Sequence, residues 1–196
     1  MSSNRRGIII ACGMIVMAFA IPALLGRPLP PPARAAAAHL LGLGRTPTAA
    51  EIAAWDIDVR ADGTGLPPGR GSVREGAAIF AESCAACHGD RGQGKPMDPL
   101  VGGLGTLTAV KPVRTVGSYW PYATTLFDFV RRAMPFDAPQ SLTNDQVYAV
   151  SAYVLYLNQI VAEDTVLDAV TLPKVQMPNR DGFISPDPRP DVASSQ

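Results

Sequence analysis

Residues 84–88 read Cys-Ala-Ala-Cys-His, two thiols three positions apart followed directly by an imidazole. That order is the attachment pattern of c-type haem. The spacing has a chemical reason, because two thioether bonds to the vinyl groups of one macrocycle need sulfurs about a helical turn apart. The histidine then falls beneath the iron. Cys-x-x-Cys alone also serves thioredoxin-like redox pairs and half of many zinc sites. Zinc would need two more ligands, yet the remaining cysteine, Cys12, lies in an apolar leader. The other histidine, His39, lies in a linker between an alanine run and Leu40-Leu41, where a surface or packing role is expected. A thioredoxin-like site needs a strand before the motif and a βαβ frame, and the sequence pattern predicts neither. Cys84 and Cys87 are therefore read as the anchors of one haem c, and His88 as an axial ligand of its iron.

A low-spin electron carrier needs a second axial ligand, and a thioether sulfur raises the reduction potential relative to a second imidazole. Met14 and Met17 fall in the leader, and Met97 follows His88 too closely to pass around the macrocycle edge. Met134 stands in Met134-Pro135-Phe136, between a helix that ends and a helix that begins. It is the predicted ligand, with Met177 in the tail as rival and a core-filling methionine as the plain alternative. Pro99 is read as offering its carbonyl to the non-ligating nitrogen of His88, the alternative being a turn proline without that contact. Trp120, Tyr119 and Arg114 carry donors suited to haem propionates, although the aromatics can equally be packing residues. Lys111, Arg131 and Arg132 suggest either a basic rim that steers an acidic partner or simply a solvated face.

The elements that must hold these residues follow from composition and pattern. With 196 residues and no net charge, the chain has room for one modest domain and extensions, and its charge excludes a nucleic-acid binder. Nineteen prolines and eighteen glycines imply long irregular stretches around a small folded centre. Arg5-Arg6, the apolar run from Ile8 to Leu25 and the Pro-rich Arg27 to Pro32 read as an export segment. Cleavage near Ala35 to Ala37 is expected, with retention as a membrane anchor the alternative. Thr46 as cap and Pro47 at the first helical position predict a short helix to Trp55, and the turn residues from Asp56 to Gly71 predict a strap over the core. Ser72-Val73-Arg74-Glu75 and Thr143-Asn144-Asp145-Gln146 are capping boxes, each opening a helix. Between them, 89–108 reads as a loop, and helical spacing from Tyr122 to Ala133 ends where Pro135 disfavours helix in the preceding residue. Beyond Val161 an extended tail is expected to wrap the domain or to dock a partner.

The helix with Gly76 and Phe80, the attachment motif, Pro99-Leu100, Met134-Pro135 and a final helix with Tyr153 resemble class I cytochromes c. Three further stretches, 54–60 with 65–69, 117–126 and 132–136, resemble the cytochrome subunit (SoxD-like) of the sulfane (sulfite-type) dehydrogenase of the bacterial Sox thiosulfate-oxidation system. The resemblance implies an all-α class I cytochrome c fold, its helices wrapped around one covalently bound haem, with long irregular N- and C-terminal extensions. Composition and pattern divide the chain into a signal peptide or anchor with linker at 1–36, an N-terminal helix and strap at 37–71, a cytochrome c domain at 72–161 and a Pro-rich tail at 162–196. The resemblance also implies a periplasmic subunit that takes electrons from a molybdenum-cofactor dehydrogenase and passes them to another cytochrome c or an oxidase. A free shuttle to a terminal oxidase, or a haem enzyme with a labile sixth ligand, are the competing functions. No catalytic residue is predicted.

Overall fold

A computed structural model of the chain describes residues 43–184; the apolar leader, Cys12, His39 and the last residues of the tail lie outside them. No helix among the described residues is long and apolar enough to cross a membrane. The chain divides between Ala49 and Ala50 into two units. Of the first, residues 43–49 are described, and all are exposed.

Helix α1, Ala49–Trp55, buries none of its side chains. It starts later than Thr46 and Pro47 predict, because the alanines after Thr48 are stronger helix formers than the Thr-Pro-Thr run. The segment from Asp56 then crosses the domain to strand β1, Arg70–Ser72. This strand pairs antiparallel with β2, Val166–Asp168, Arg70 facing Asp168. The short ladder joins two stretches expected to be irregular, so the fold is helical with one small sheet at its flank.

Helix α2, Val73–Ser83, opens on the predicted capping box: the Ser72 amide donates to Glu75 at 2.8 Å and the Glu75 amide to the Ser72 hydroxyl at 3.2 Å. A single turn, α3, Ala85–His88, follows Cys84, and α4, Ala123–Ala133, and α5, Asn144–Leu157, are the remaining α-helices among the described residues. The second capping box, Thr143 with Gln146, starts α5. Helix α4 ends at Met134, whose φ of −124° and ψ of 146° are extended. The proline ring that follows disfavours helical geometry there.

The core forms where α2 crosses α5. Gly76 makes the crossing possible, since a Cβ there would collide with the Ala149 carbonyl. Phe80 then meets Tyr153 at 5.3 Å between ring centroids, while Phe127 of α4 meets Tyr148 at 4.4 Å. Phe80 and Phe127 are wholly buried, each contributing roughly 1.5–3 kcal/mol in lost apolar exposure. Val59 from the strap and Leu167, Leu172 and Met177 from the tail join the same cluster. Met177 is thus a core methionine, which removes it from competition with Met134.

Polar contacts pin the strap to the helices. Asp128 accepts from the Val59 amide at 2.9 Å, Thr124 donates to the Ala61 carbonyl at 3.2 Å, and Arg131 donates to the Ile57 carbonyl at 3.0 Å. Further along, the Tyr148 hydroxyl donates to the Pro67 carbonyl at 2.9 Å. Two cations of the expected basic rim are therefore committed, Arg131 to the strap and Arg132 to an ion pair with Asp128. Lys111 remains exposed.

Candidate haem site

Cys84 ends α2 with φ −125° and ψ −36°, a break that turns the chain before Ala85–His88 resumes helical geometry. Amides of Cys87 and His88 both donate to the Cys84 carbonyl, at 3.1 and 3.0 Å, which closes the motif into one compact turn. Both thiols are free, Cys84 half-buried and Cys87 exposed. Burial, aided by the neighbouring Cys87, pushes the Cys84 thiol up to about 11. Among the described residues no group of three or more His, Cys, Asp or Glu side chains converges.

The loop after the motif folds back on it. Gly94 donates to the His88 carbonyl at 2.7 Å and Met97 to the Cys87 carbonyl at 2.9 Å, bringing the following residues alongside the imidazole. His88 Nδ1 lies 2.9 Å from the Asp98 carbonyl oxygen. That oxygen can only accept, so Nδ1 carries the proton and Nε2 keeps its lone pair for a metal. The partner is thus the carbonyl of Asp98, not that of Pro99 as the sequence suggested. Proline biases the residue before it toward extended geometry, so its influence falls on the preceding peptide. Gly92, at φ +70°, makes the reversal and receives the amides of Leu100 and Val101 on its carbonyl. Asn158, at the end of α5, secures the loop by donating to the Leu100 carbonyl at 3.1 Å.

Residues 113–137 carry the remaining residues that the sequence assigned to the haem. Thr115 and Ser118 bond one another and the Val113 and Gly102 carbonyls, a knot that fixes the segment's first part. Arg114 lies over the Tyr119 ring at 5.5 Å, and Trp120 meets Phe129 edge-on at 5.8 Å. The three proposed propionate donors are thus neighbours in one ordered segment, with Arg114 tied to Tyr119 as well. Helix α4 carries the chain from there to Met134, which is half-buried, while Met97 is 51% exposed beside the motif.

Residues 73–158 match the cytochrome c family. Beyond them, the chain is similar to a chain in the crystal structure of the sulfane dehydrogenase SoxCD from Paracoccus pantotrophus, at 47% identity and a TM-score of 0.72, covering 79% of this chain and 76% of that one. The chain is a class I cytochrome c. It is also similar to the thiosulfate dehydrogenase of Stutzerimonas stutzeri (strain A1501), 31% identical over 94 residues. That match takes in 45% of the cytochrome and 28% of the longer protein's length.

As a cytochrome c the protein carries a covalently bound haem c and transfers electrons, and its side chains fit that group. Two unpaired thiols stand in one turn, the adjacent imidazole has its far nitrogen free, and Leu104, Val113, Phe129 and Phe136 of the surrounding segments are left uncovered, from 42% to 80% exposed. Uncovered apolar side chains of this kind are what a macrocycle can cover. Sequence reasoning did not single out Asp98, Asn158 or Asp128.

Proposed function

We propose that this cytochrome is the electron-accepting subunit of a periplasmic, molybdenum-dependent dehydrogenase acting on a sulfur compound. In this reading Cys84 and Cys87 hold the haem, His88 and Met134 are its axial ligands, and the leader directs export. The bound haem supplies reversible one-electron storage. Asp98 orients His88 through Nδ1, and α4 with Pro135 delivers Met134 in extended geometry. Trp120, Tyr119 and Arg114 offer donors to the haem carboxylates. The electrons come from the dehydrogenase and leave for another cytochrome c or an oxidase.

The observation that carries this reading is the extent of similarity to the sulfane dehydrogenase chain. It reaches past the family's own 73–158 segment into the flanks, which a generic cytochrome would not need to share. Copurification from the native host tests it. A stable complex with a molybdenum protein, whose sulfur substrate reduces this haem, is expected; a monomer on every column would sink the subunit role. Replacing Met134 with alanine should abolish the methionine-to-iron absorption band at the red end of the spectrum and lower the potential, and retention of the band would remove Met134 from the site.

The match to a thiosulfate dehydrogenase supports a second reading, a haem enzyme with a labile sixth ligand. Rapid binding of carbon monoxide or cyanide by the untreated protein would favour it over the first.

A further inference from the structure

The tail after α5 divides into two parts that do different work. From Val166 to Met177 it is anchored by apolar burial, with Leu167, Leu172 and Met177 in the core at 2%, 0% and 4% exposure. Asp168 and Thr171 close a small knot between these anchors, the Asp168 amide donating to the threonine hydroxyl at 2.8 Å and the hydroxyl to the carboxylate at 2.8 Å. Past Met177 the anchoring changes character. Asn179 donates its side-chain amide to the Tyr119 carbonyl at 2.7 Å, Arg180 lies over the Tyr122 ring at 5.2 Å, and Phe183 meets the Tyr119 ring edge-on at 5.2 Å. Three separate contacts fall on one four-residue segment.

Within the domain the segment is held by the Tyr119 amide donating to the Thr115 carbonyl at 3.0 Å, by Arg114 over the Tyr119 ring and by Trp120 against Phe129. The Thr115–Ser118 knot fixes its upstream side, and α4 begins only at Ala123. The tail adds three contacts from outside, on the Tyr119 carbonyl and on the Tyr119 and Tyr122 rings. We propose that residues 179–183 are a positioning strap for the Tyr119–Trp120 segment, and that Asn179 is the positioning residue through which the tail sets the environment, and hence the reduction potential, of the haem. The inference rests on the reading that Tyr119, Trp120 and Arg114 face the haem carboxylates. With that segment loosened, negative charge at the carboxylates is less compensated and water reaches them more freely. Both favour the oxidised, more positive iron, so the potential falls.

The test compares midpoint potentials and Soret circular dichroism of the holoprotein in five forms: wild type, Asn179→Ala, Gly182→Ala, Trp120→Phe and Thr171→Ala. Gly182→Ala reaches the same contact without altering its donor, since a Cβ there collides with the Asn179 side-chain oxygen. Thr171→Ala loosens the tail at its knot, away from Tyr119. Asn179→Ala and Gly182→Ala should lower the potential in the same sense as Trp120→Phe and change the Soret signal. Thr171→Ala should lower the melting temperature and leave the potential in place. If Trp120→Phe shifts the potential while both strap variants leave it unchanged, the strap inference is overturned and the haem-facing segment stands. If Thr171→Ala shifts it as much as Asn179→Ala does, general loosening is the cause and the positioning role is overturned. Should Trp120→Phe itself have no effect, the haem-facing reading fails and the strap inference fails with it.

Discussion

The two halves of the proposed haem site are built by different means. Around the motif most contacts are short in sequence: His88 meets a carbonyl ten residues away, and the loop between them bonds back onto Cys87 and His88, with Asn158 on the Leu100 carbonyl, 58 residues away, as the one long tie described. Around Met134 they are long. The helix leading to it is tied through Asp128, Arg131 and Thr124 to backbone 63 to 74 residues earlier, and the segment before it is held by Asn179, 60 residues later. The attachment half is a local device that the motif nearly carries by itself. The methionine half is a tertiary device, so changes far from the haem should reach the sulfur before they reach the imidazole.

The largest effect should come from breaking the local half. Replacing both Cys84 and Cys87 with alanine is expected to remove all covalently bound haem, leaving a protein of apoprotein mass with no haem-stained band on a denaturing gel. Breaking the distant half should be graded instead. Asp128→Ala leaves the Val59 amide without its buried acceptor and frees the half-exposed Arg132, which should cost about 1–3 kcal/mol in denaturant unfolding, nearly all of it through the amide. The variant should still hold covalent haem, while the methionine-to-iron band weakens. Equal loss of haem and band would contradict the contrast between the halves.

A pH test sharpens the comparison on the strap. Burial foremost, then the Asp168 carboxylate, pushes the Tyr148 hydroxyl up to about 12 from an ordinary 10, with Arg131 partly opposing. The folded chain therefore keeps a proton that the unfolded chain gives up. Stability from this group is full below about pH 10 and is lost as pH rises toward about 12. Tyr148→Phe should flatten that alkaline loss and cost about 1 kcal/mol at neutral pH through the missing bond to Pro67. An unchanged alkaline limb would argue against Tyr148 as its source. The smallest effect is kinetic: in the apoprotein at pH 8, iodoacetamide should modify exposed Cys87 before half-buried Cys84, whose thiol is held protonated. Peptide mass mapping over time reads the order.

The sequence by itself determined the chemistry and the helices that frame it, because those signals are local. The motif, both capping boxes, the stop before Pro135 and the Gly76–Phe80 face each depend on residues within a few turns of one another. Tertiary structure decided which carbonyl serves His88, since Asp98 and Pro99 offer the same group and only the path of the loop selects between them. It also decided that Met177 belongs to the core, that Arg131 and Arg132 are committed, and that two irregular-looking stretches pair as a ladder. A mid-helix aspartate such as Asp128 reads as a solvated face when its partner is 69 residues away. Local patterns record what a residue does to its own backbone, whereas these choices were made by surfaces that meet only after the chain has closed.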